Sequence, residues 1–337
     1  MGGKRPDKYY SLKYMTRNKI LFLLAFIGIL TSCSWVKTDI DDCPTGVWLK
    51  IRYTRNMLDV DAAGQQVRDA SIMVFDHEGN YVRRIEIDYG QLSANNYCVE
   101  VSELSNGIYD FVVWSGLGDS HFMTTSPLNI DDLRLSLADA DKLQDAEYGD
   151  LFYGRIDSVE VTGRYAVHEV DLTKDTNVLV CQVVPASGSG DVAIDRYGLQ
   201  LTSANGVIDA NNNSVPSSPV VYAPYKMQAD TVEDDVNGQL ETLGYAVKTL
   251  RLMQGDNSRL VLTDNDSGTV ILDLPLTDFL CQIASFYTQS GKPLSAQEYL
   301  DRQDFHTVIL YMSESGSSVV QCRINNWVIR LNDNINL

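Results

Sequence analysis

The amino-acid sequence predicts an all-β fold, with two tandem β-sandwiches and one or two short helices. About a dozen short segments alternate apolar and polar residues as half-buried strands do, and few segments repeat at helical spacing. The 305 of 337 residues that follow a leader are too many for one sandwich and suit two domains. Hydrophobic residues make up 44% of the chain, which is enough to bury proper cores.

Residues 1–32 have the pattern of a secretory signal. Several basic residues precede an apolar run over residues 20–30, and this order of charge and apolar residues is typical of an export signal. The run has about half of the ~20 residues that a membrane-spanning helix needs, so it does not predict a permanent span. Translation starts either at Met1 or at Met15, which lies close to the basic cluster.

Cys33 follows this run in the order Leu-Thr-Ser-Cys, which resembles the lipobox of bacterial lipoproteins. The resemblance implies that Cys33 is acylated and becomes the first residue of the mature protein. The alternative is an ordinary cleaved signal followed by an incidental cysteine.

The segment over residues 33–46 is polar and acidic, and we interpret it as a tether between the lipid and the first domain. The leader holds six of the 27 Lys and Arg but only one of the 45 Asp and Glu, so the rest of the chain carries a formal charge of −23. This charge argues against a nucleic-acid partner, since such binding depends on Lys and Arg at phosphates. It also argues against docking on anionic lipid, so the acyl group would provide the membrane anchor.

Five cysteines remain after Cys33, and they lie at positions 43, 98, 181, 281 and 322. Export to an oxidising compartment allows one or two disulfides, and an odd number leaves at least one thiol free. Cys98 is expected on the outward face of a strand, where it could bond a segment lying over the sheet. The natural candidate is Cys43 in the tether. Cys181 is expected to be an ordinary buried residue.

Residues 47–163 are predicted to form the first sandwich. The clearest local prediction is a β-hairpin over residues 71–87, in which two strands flank a polar loop with glycine. Residues 108–114 are apolar on both faces, which predicts a central strand. Residues 128–143 repeat apolar side chains at helical spacing, which indicates one short helix or an ordered loop. We place the domain boundary at residues 163–164.

Residues 164–337 are predicted to form the second sandwich. Prolines flank the strand over residues 220–222, which fits an edge position. An amphipathic helix is expected after Pro275, and a capping box at residues 295–298 predicts a second short helix. Strands over residues 305–312 and 319–324 and a further apolar segment end the chain.

The sequence shows no catalytic, cofactor or metal site. Residues 264–268 resemble half of a calcium loop, but the required Glu does not follow. Asp, Asn and Gly also suit a hairpin turn, which we favour. His306 alternates with apolar residues, which predicts a core histidine. The chain lacks a Cys-x-x-Cys pair, a nucleophile elbow and a phosphate-binding loop. We therefore expect a protein that is not an enzyme.

Several segments together, in order and spacing, carry a resemblance to a known family. They are Cys33, residues 41–44, 74–82, 104–114, 299–304 and 324–329. In these segments the chain resembles the Bacteroidetes fimbrial anchor subunits, which are lipoproteins at the base of fimbrillin-type pili or accessory to them. The resemblance implies two transthyretin-like Greek-key β-sandwich domains and a non-enzymatic role. It also implies a lipid anchor in the outer membrane and exposure at the cell surface.

Fimbrillin and other pilus subunits are the partners that this resemblance implies. Open sandwiches carry edge strands with unpaired backbone N–H and C=O groups, and pilins commonly use such edges for β-strand addition. We predict contact through the strand at residues 220–222 or through the C-terminal strand within residues 325–337.

The competing hypothesis is a surface lipoprotein that binds glycans. Such a site needs exposed aromatic side chains on one sheet face, and the sequence has 18 Tyr and four Trp. A third hypothesis, a lipoprotein hydrolase, would need His or carboxylate side chains clustered in a pocket.

Overall fold

The computed structural model describes residues 45–185, 195–234, 238–325 and 327–329. Its strands form sheets that pack in two β-sandwiches, which confirms the predicted all-β fold. The leader, Cys33 and residues 34–44 of the predicted tether lie outside the described residues.

Between residues 45 and 174, the structure describes eleven strands and two short helices. In order they are β1 Gly46–Arg52, α1 Ala63–Gln66, β2 Ala70–Asp76, β3 Tyr81–Ile87, α2 Tyr89–Ala94, β4 Cys98–Ser102, β5 Gly107–Ser115, β6 Phe122–Thr124, β7 Arg134–Leu137, β8 Leu143–Gln144, β9 Phe152–Val161, β10 Val167–Asp171 and β11 Thr173–Lys174.

The first sandwich packs a three-stranded sheet, in the order β10-β1-β4, over a five-stranded sheet, in the order β11-β9-β5-β2-β3. The predicted hairpin is confirmed as β2 and β3. The strand predicted to be central is β5, which lies between β9 and β2. Its Phe111 and Val113 enter the core under the three-stranded sheet, whereas Val112 and Trp114 enter a second core on the opposite face.

Strand β10 shows why the first sandwich extends past the predicted boundary at residues 163–164. It pairs in parallel with β1, from Trp48 opposite Val167 to Arg52 opposite Asp171. Strand β11 then pairs with β9. The sheets of the first sandwich therefore run to Lys174, about ten residues beyond the predicted boundary.

Two structures were predicted for residues 128–143, a short helix or an ordered loop, and the segment does not form the helix. A 3-10 turn at Ile130–Asp132 is followed by strand β7. Leu133, Leu135 and Leu137 are all buried at alternate positions, which is the period of a strand. Because Leu133 and Leu137 are also four residues apart, the same leucines fit both the period of a helix and the period of a strand.

The described residues after position 174 contain thirteen strands and two helices. In order they are β12 Thr176–Val184, β13 Tyr197–Ser203, β14 Val207–Asp209, β15 Val220–Tyr222, β16 Lys226–Asp234, β17 Gly238–Leu250, β18 Arg259–Asp264, β19 Thr269–Pro275, α3 Leu276–Cys281, β20 Thr288–Gln289, β21 Lys292–Pro293, α4 Ala296–Arg302, β22 Phe305–Met312, β23 Val319–Ile324 and β24 Trp327–Ile329.

A six-stranded sheet, in the order β16-β17-β12-β22-β23-β24, packs over a five-stranded sheet, in the order β19-β18-β13-β15-β8. The core between them is continuous with the second core of the first sandwich, which contains Trp114. Strand β8 joins the five-stranded sheet beside β15, and β7 pairs with β14. Through β7 and β8, the segment over residues 117–148 therefore connects the first sandwich to strands of the second part of the chain.

Both predicted helices are present in shorter form. Helix α3 begins after Pro275 and ends at Cys281, where a 3-10 turn at Ala284–Phe286 replaces the predicted continuation. Helix α4 begins after Ser295, whose Oγ accepts a hydrogen bond of 3.2 Å from the Glu298 N–H. This is the N-cap half of the predicted capping box.

Gly116 ends β5 in a conformation that only glycine adopts without strain, and we expect Gly116→Ala to destabilise the protein. Its φ is +100°, and an added Cβ would lie 2.1 Å from the carbonyl oxygen of Asp150. The expected loss is about 1–3 kcal/mol in the free energy of unfolding, measured by urea titration with tryptophan fluorescence. Gly163→Ala is the matched control, because its Cβ would meet no atom within 4 Å. Equal stability of the two variants would contradict the prediction.

Candidate functional site

The free edge of the six-stranded sheet at β24 is the candidate site. Strand β24 pairs with β23 on one side, with Trp327 opposite Ile324 and Val328 opposite Arg323. Within the described residues no strand pairs with its other side. Its outer backbone groups are therefore open to a strand from another chain.

The turn before β24 is held in place by Asn325. Its backbone N–H donates to the Thr307 carbonyl at 2.7 Å, and its Oδ1 accepts from the Thr307 N–H at 2.9 Å. Its side-chain Nδ2 also lies 3.3 Å from the Tyr299 hydroxyl. Asn325 has a φ of +50°, which asparagine tolerates better than most residues. The turn thus fixes β24 against β22 and helix α4.

Strand β24 places apolar side chains on both faces of the sheet at this edge. Trp327 stacks on Phe286 with ring centroids 4.4 Å apart and an angle of 10° between the planes. Phe286 is 59% exposed and Val328 is 58% exposed. We call Phe286, Trp327 and Val328 the edge patch. An exposed apolar patch beside unpaired backbone groups favours contact with another protein.

The longer edges of the sheets carry charges or proline, which are the usual protection against unwanted pairing. These residues are Arg83, Arg84 and Glu86 on β3, Glu169 and Asp171 on β10, Lys226, Asp230 and Glu233 on β16, and Asp273 and Pro275 on β19. Strand β24 carries neither, because its residues are Trp, Val and Ile.

The strand at Val220–Tyr222 is not an edge, and the prediction that it is one was wrong. It pairs with β13 on one side and with β8 on the other, with Val221 opposite Leu143 and Tyr222 opposite Gln144. The flanking prolines end the strand at both sides. The short strand β8, which comes from the first half of the chain, gave no sequence signal that it would cover this position.

Ion pairs with almost fully buried Lys and Arg side chains lie where the two sandwiches meet, and we call them the seam. Lys174 of β11 lies 2.9 Å from Asp150 and 2.7 Å from Asp304. Asp150 also lies 2.8 Å from Lys248 of β17. Burial alone would lower the pKa of Lys174, but Asp304 and Asp150 outweigh it and raise that pKa. Lys174 is therefore charged at neutral pH.

Arg251 is the centre of a second group in the seam. Its guanidinium makes a bidentate contact with Asp301 of α4, in which Nε donates to Oδ1 at 2.9 Å and Nη2 donates to Oδ2 at 3.0 Å, and it also donates to the Asn212 carbonyl. Asp175, at the junction between the sandwiches, is fully buried and lies 3.9 Å from the Arg251 Nε. Burial raises the pKa of Asp175 to about 7, against the opposing effect of Arg251.

A third group joins helix α4 to the loop that follows β1. Arg302 is almost fully buried, and it contacts Asp59 and Glu298 at 2.6 Å each. It also donates to the Asn56 carbonyl at 3.1 Å. The first strand after the predicted tether is thus linked to the helix that supports β24.

A sequence profile of the family "Fimbrillin-A associated anchor proteins Mfa1 and Mfa2" matches residues 40–333. The chain belongs to this anchor family. A search of curated proteins found no match.

Solved structures share the fold of this anchor-family chain. A proposed adhesin from Bacteroides thetaiotaomicron is 23% identical, with a TM-score of 0.76 over 86% of this chain and 99% of its own. A proposed polysaccharide-binding protein from the same species is 29% identical, with a TM-score of 0.73 over 86% and 98% of the two chains. The fimbrial anchor protein Mfa2 from Porphyromonas gingivalis is 18% identical, with a TM-score of 0.62 over 86% and 100%.

Of the predicted lipid and disulfide residues of this anchor-family chain, the structure describes only Cys98. Cys33 and Cys43 lie outside the described residues. Cys98 is half-buried and lies opposite Lys50, whereas Thr45 accepts a hydrogen bond from the Leu104 N–H at the other end of β4. This register places the start of β1 beside the opposite end of β4 from Cys98, and it does not decide whether Cys98 is bonded to Cys43. The pairing stays a prediction.

The acidic segment at residues 264–268 forms the β18–β19 turn. Asp264 Oδ1 accepts from the N–H groups of Asp266 and Ser267 at 3.0 Å, and its Oδ2 accepts from Arg196 at 2.7 Å. These contacts agree with the turn interpretation of the sequence. In the described part of the chain, no group of three His, Cys, Asp or Glu side chains is arranged to hold a metal ion. The described helices include none long and apolar enough to cross a membrane.

Sequence reasoning missed the role of Phe286, because either Phe286 or Tyr287 continues the helical spacing of the apolar residues after Pro275. In the structure Tyr287 turns inward and stacks on Tyr299 at 5.3 Å, whereas Phe286 points outward to Trp327. Two adjacent aromatic residues at the end of a short helix were the available signal. They could not show which ring faces solvent.

Proposed function

We propose that this protein is an outer-membrane lipoprotein that acts as a fimbrial anchor or accessory subunit. The lipid on Cys33 tethers it to the membrane, and the edge at β24 engages a fimbrillin by β-strand contact. The observation that carries this proposal is an unprotected apolar edge strand in a chain of the anchor family. Surface exposure of the second sandwich follows from this arrangement.

The geometry supports strand addition at β24. An incoming strand would receive main-chain hydrogen bonds from the open side of β24, and its side chains would alternate between the two faces. On one face it would meet Trp327 and Phe286, and on the other Val328. Apolar residues at alternate positions of the fimbrillin strand would therefore match the edge patch.

The position of β1 supports attachment at the opposite end of the chain. Strand β1 directly follows the tether and is the central strand of its sheet, paired with β10 and β4 on its two sides. A pull on the tether would have to break both ladders at once. The seam then links this sandwich to the one that carries β24.

Val328→Lys tests the proposal, because a charge on an edge strand opposes pairing with another chain. In cells that carry the cognate pilus, we expect this variant to stay in the outer membrane while fimbriae appear in the medium. Crosslinking and pull-down of the outer-membrane complex should show the fimbrillin with the wild type and a loss of about tenfold or more with the variant. Deletion of residues 325–337 should have the same effect.

Two further variants separate the two halves of the proposal. Val270→Lys places the same charge on β19, where the side chain is 56% exposed, and it should leave pilus attachment unchanged. Cys33→Ala should release the protein itself together with its fimbriae. Retention of fimbriae by Val328→Lys would overturn the contact at β24, and retention of Cys33→Ala in the membrane would overturn the lipid anchor.

Glycan binding at the cell surface is the second candidate, which is favoured by the structural relative described as a proposed polysaccharide-binding protein. The strongly exposed Tyr and Trp side chains of the described residues are Tyr81, Tyr89 and Trp327. They lie on β3, α2 and β24, and so they do not form the aromatic sheet face that this hypothesis required. Co-purification of a transporter or starch-binding component in place of a fimbrillin would favour this candidate.

A further inference from the structure

Asp175 lies in the link between the two sandwiches, directly between β11 and β12, and its side chain is fully buried. Its Oδ1 accepts a hydrogen bond of 2.9 Å from the side-chain Nδ2 of Asn212. Its Oδ2 has no partner in the described part of the chain, and the Oδ1 atoms of Asn212 and Asn177 are buried there without a donor as well. Because buried polar atoms are nearly always paired, this surplus of acceptors indicates a missing donor.

Arg251 does not supply that donor. Its Nε lies 3.9 Å from Asp175 Oδ1, which is too long for a hydrogen bond. The Nε and Nη2 groups donate to Asp301 instead, and Nη1 donates to the Asn212 carbonyl. The guanidinium therefore neutralises Asp301 and leaves Asp175 without a contacting cation.

The other charged and titratable groups that act on Asp175 come from three elements. Asp301 of α4 adds a second negative charge, which favours a neutral Asp175. Arg55, in the loop after β1, opposes this from a distance while its own Nη2 donates to Glu298 at 3.3 Å. Tyr153 of β9 is uncharged, because burial raises its pKa above the usual range. A proton on Asp175 itself is the donor that this set of groups favours.

The acidity of Asp175 agrees with this arrangement. Burial is the largest effect and raises the pKa of Asp175 from 3.8 to about 7, against the opposing effects of Arg251 and the Asn212 hydrogen bond. The unfolded chain loses the proton near pH 4, whereas the folded chain keeps it to about pH 7. The stability that the proton provides is therefore complete below about pH 4 and is lost as the pH rises through about 7.

Asn212 belongs to a loop of the second part of the chain that also contacts the first sandwich, and we call residues 210–213 the Asn212 loop. The Ala210 carbonyl accepts from the Tyr153 hydroxyl of β9 at 2.7 Å. Arg155, also on β9, donates to Asn211 Oδ1 at 2.6 Å. The pair between Asp175 and Asn212 thus lies where the link, the Asn212 loop and the first sandwich meet.

We propose that Asp175 makes a proton-dependent contact that holds the Asn212 loop on the link between the two sandwiches. As a neutral acid, Asp175 donates from Oδ2 to Asn212 Oδ1 beside the existing bond from Asn212 Nδ2, so that acid and amide form a reciprocal pair. Loss of the proton leaves two acceptor oxygens facing each other and weakens the contact. The proposal is independent of pilus anchoring, because it involves neither β24 nor Cys33.

Asp175→Asn tests the proposal, because its amide donates to Asn212 Oδ1 at every pH. Urea unfolding of the full chain gives the unfolding equilibrium constant at about pH 6 and about pH 8.5. We expect this constant to rise about tenfold more in the wild type than in Asp175→Asn over this range. Asp264→Asn is the matched control, since Asp264 is 6% exposed and paired with Arg196 at 2.7 Å. The Arg196 hydrogen bond lowers the pKa of Asp264, so this variant should keep the wild-type pH dependence.

Two measurements report on the proton and on the loop directly. In NMR spectra of the full chain with isotope-labelled aspartate, one carboxyl signal should titrate with a midpoint near pH 7 and be absent from Asp175→Asn. Hydrogen exchange followed by mass spectrometry, corrected for the intrinsic pH dependence of exchange, should show less protection of the Asn212 loop at about pH 8.5 than at about pH 6. Asp175→Asn should remove this difference.

Three results would overturn the proposal. They are the absence of a wild-type aspartate signal that titrates near pH 7, an Asp175→Asn variant that keeps the wild-type pH dependence of unfolding, and equal protection of the Asn212 loop at both pH values. The NMR titration and the exchange experiment on the wild type need no variant, so they decide the question even if Asp175→Asn folds poorly.

Discussion

Arg251→Met should lower the free energy of unfolding by about 3–5 kcal/mol, because it leaves Asp301 buried without its partner. Asp301 is only 5% exposed, and the guanidinium supplies both of its short cationic contacts. The variant also removes the positive charge beside Asp175 and the donor to the Asn212 carbonyl. Urea unfolding at pH 7.5, followed by tryptophan fluorescence, measures the loss.

A second substitution and a matched ion pair make this result specific. The double variant Arg251→Met/Asp301→Leu should recover much of the loss, because replacing both partners by apolar residues removes the unpaired charge. Arg259→Met breaks an Arg–Asp pair of similar length, 2.7 Å, whose side chains are 42% and 44% exposed. It should cost about 1 kcal/mol or less. Equal losses from Arg251→Met and Arg259→Met would contradict the role given to burial.

The second part of the chain contains the whole Arg251–Asp301 pair, next to Asp175 at the junction. The two sandwiches themselves are joined by a continuous core and by the pairs Lys174–Asp304 and Arg302–Asp59. Loss of Arg251 is therefore expected to destabilise mainly the second sandwich.

The sequence predicted local strands well because alternation is a local property. The two apolar faces of residues 108–114 correctly indicated that β5 is central, and the hairpin of β2 and β3 followed from its polar loop. The pairing of β10 with β1, which carries the first sandwich past residues 163–164, is a contact between distant segments. No local pattern distinguishes a strand that returns to the first sheet from one that begins the next.

The candidate site and the seam could be predicted only in part for the same reason. Apolar residues near the C terminus indicated a strand there, but the stack of Trp327 on Phe286 joins residues 41 positions apart. The pairing of Arg251 with Asp301 spans 50 positions. The sequence shows that Arg and Asp are present and gives no sign of their burial. Val220–Tyr222 was misjudged because β8, which covers it, comes from the first half of the chain.

His306 is expected to make the folded protein sensitive to acid. Its side chain is fully buried against Tyr299, and neither ring nitrogen makes a hydrogen bond in the described residues. Burial lowers the pKa of His306 from 6.5 to about 4, against a smaller opposing effect of Asp304. The unfolded chain takes up this proton near pH 6.5, whereas the folded chain takes it up only near pH 4. Acidification through this window therefore favours unfolding, by about 2 kcal/mol at about pH 5.

His306→Phe should remove this part of the acid sensitivity, because phenylalanine fills the same space without a titrating group. The measured quantity is the change in the free energy of unfolding between pH 7.5 and about pH 5, which should shrink by about 2 kcal/mol relative to the wild type. His306→Leu gives the same test without an aromatic ring, in case phenylalanine is too large for the core. His77→Phe, where the side chain is 67% exposed, should keep the wild-type dependence. If both His306 variants also kept it, the acid sensitivity would belong to the seam carboxylates, and the buried imidazole would have to be protonated in the folded core.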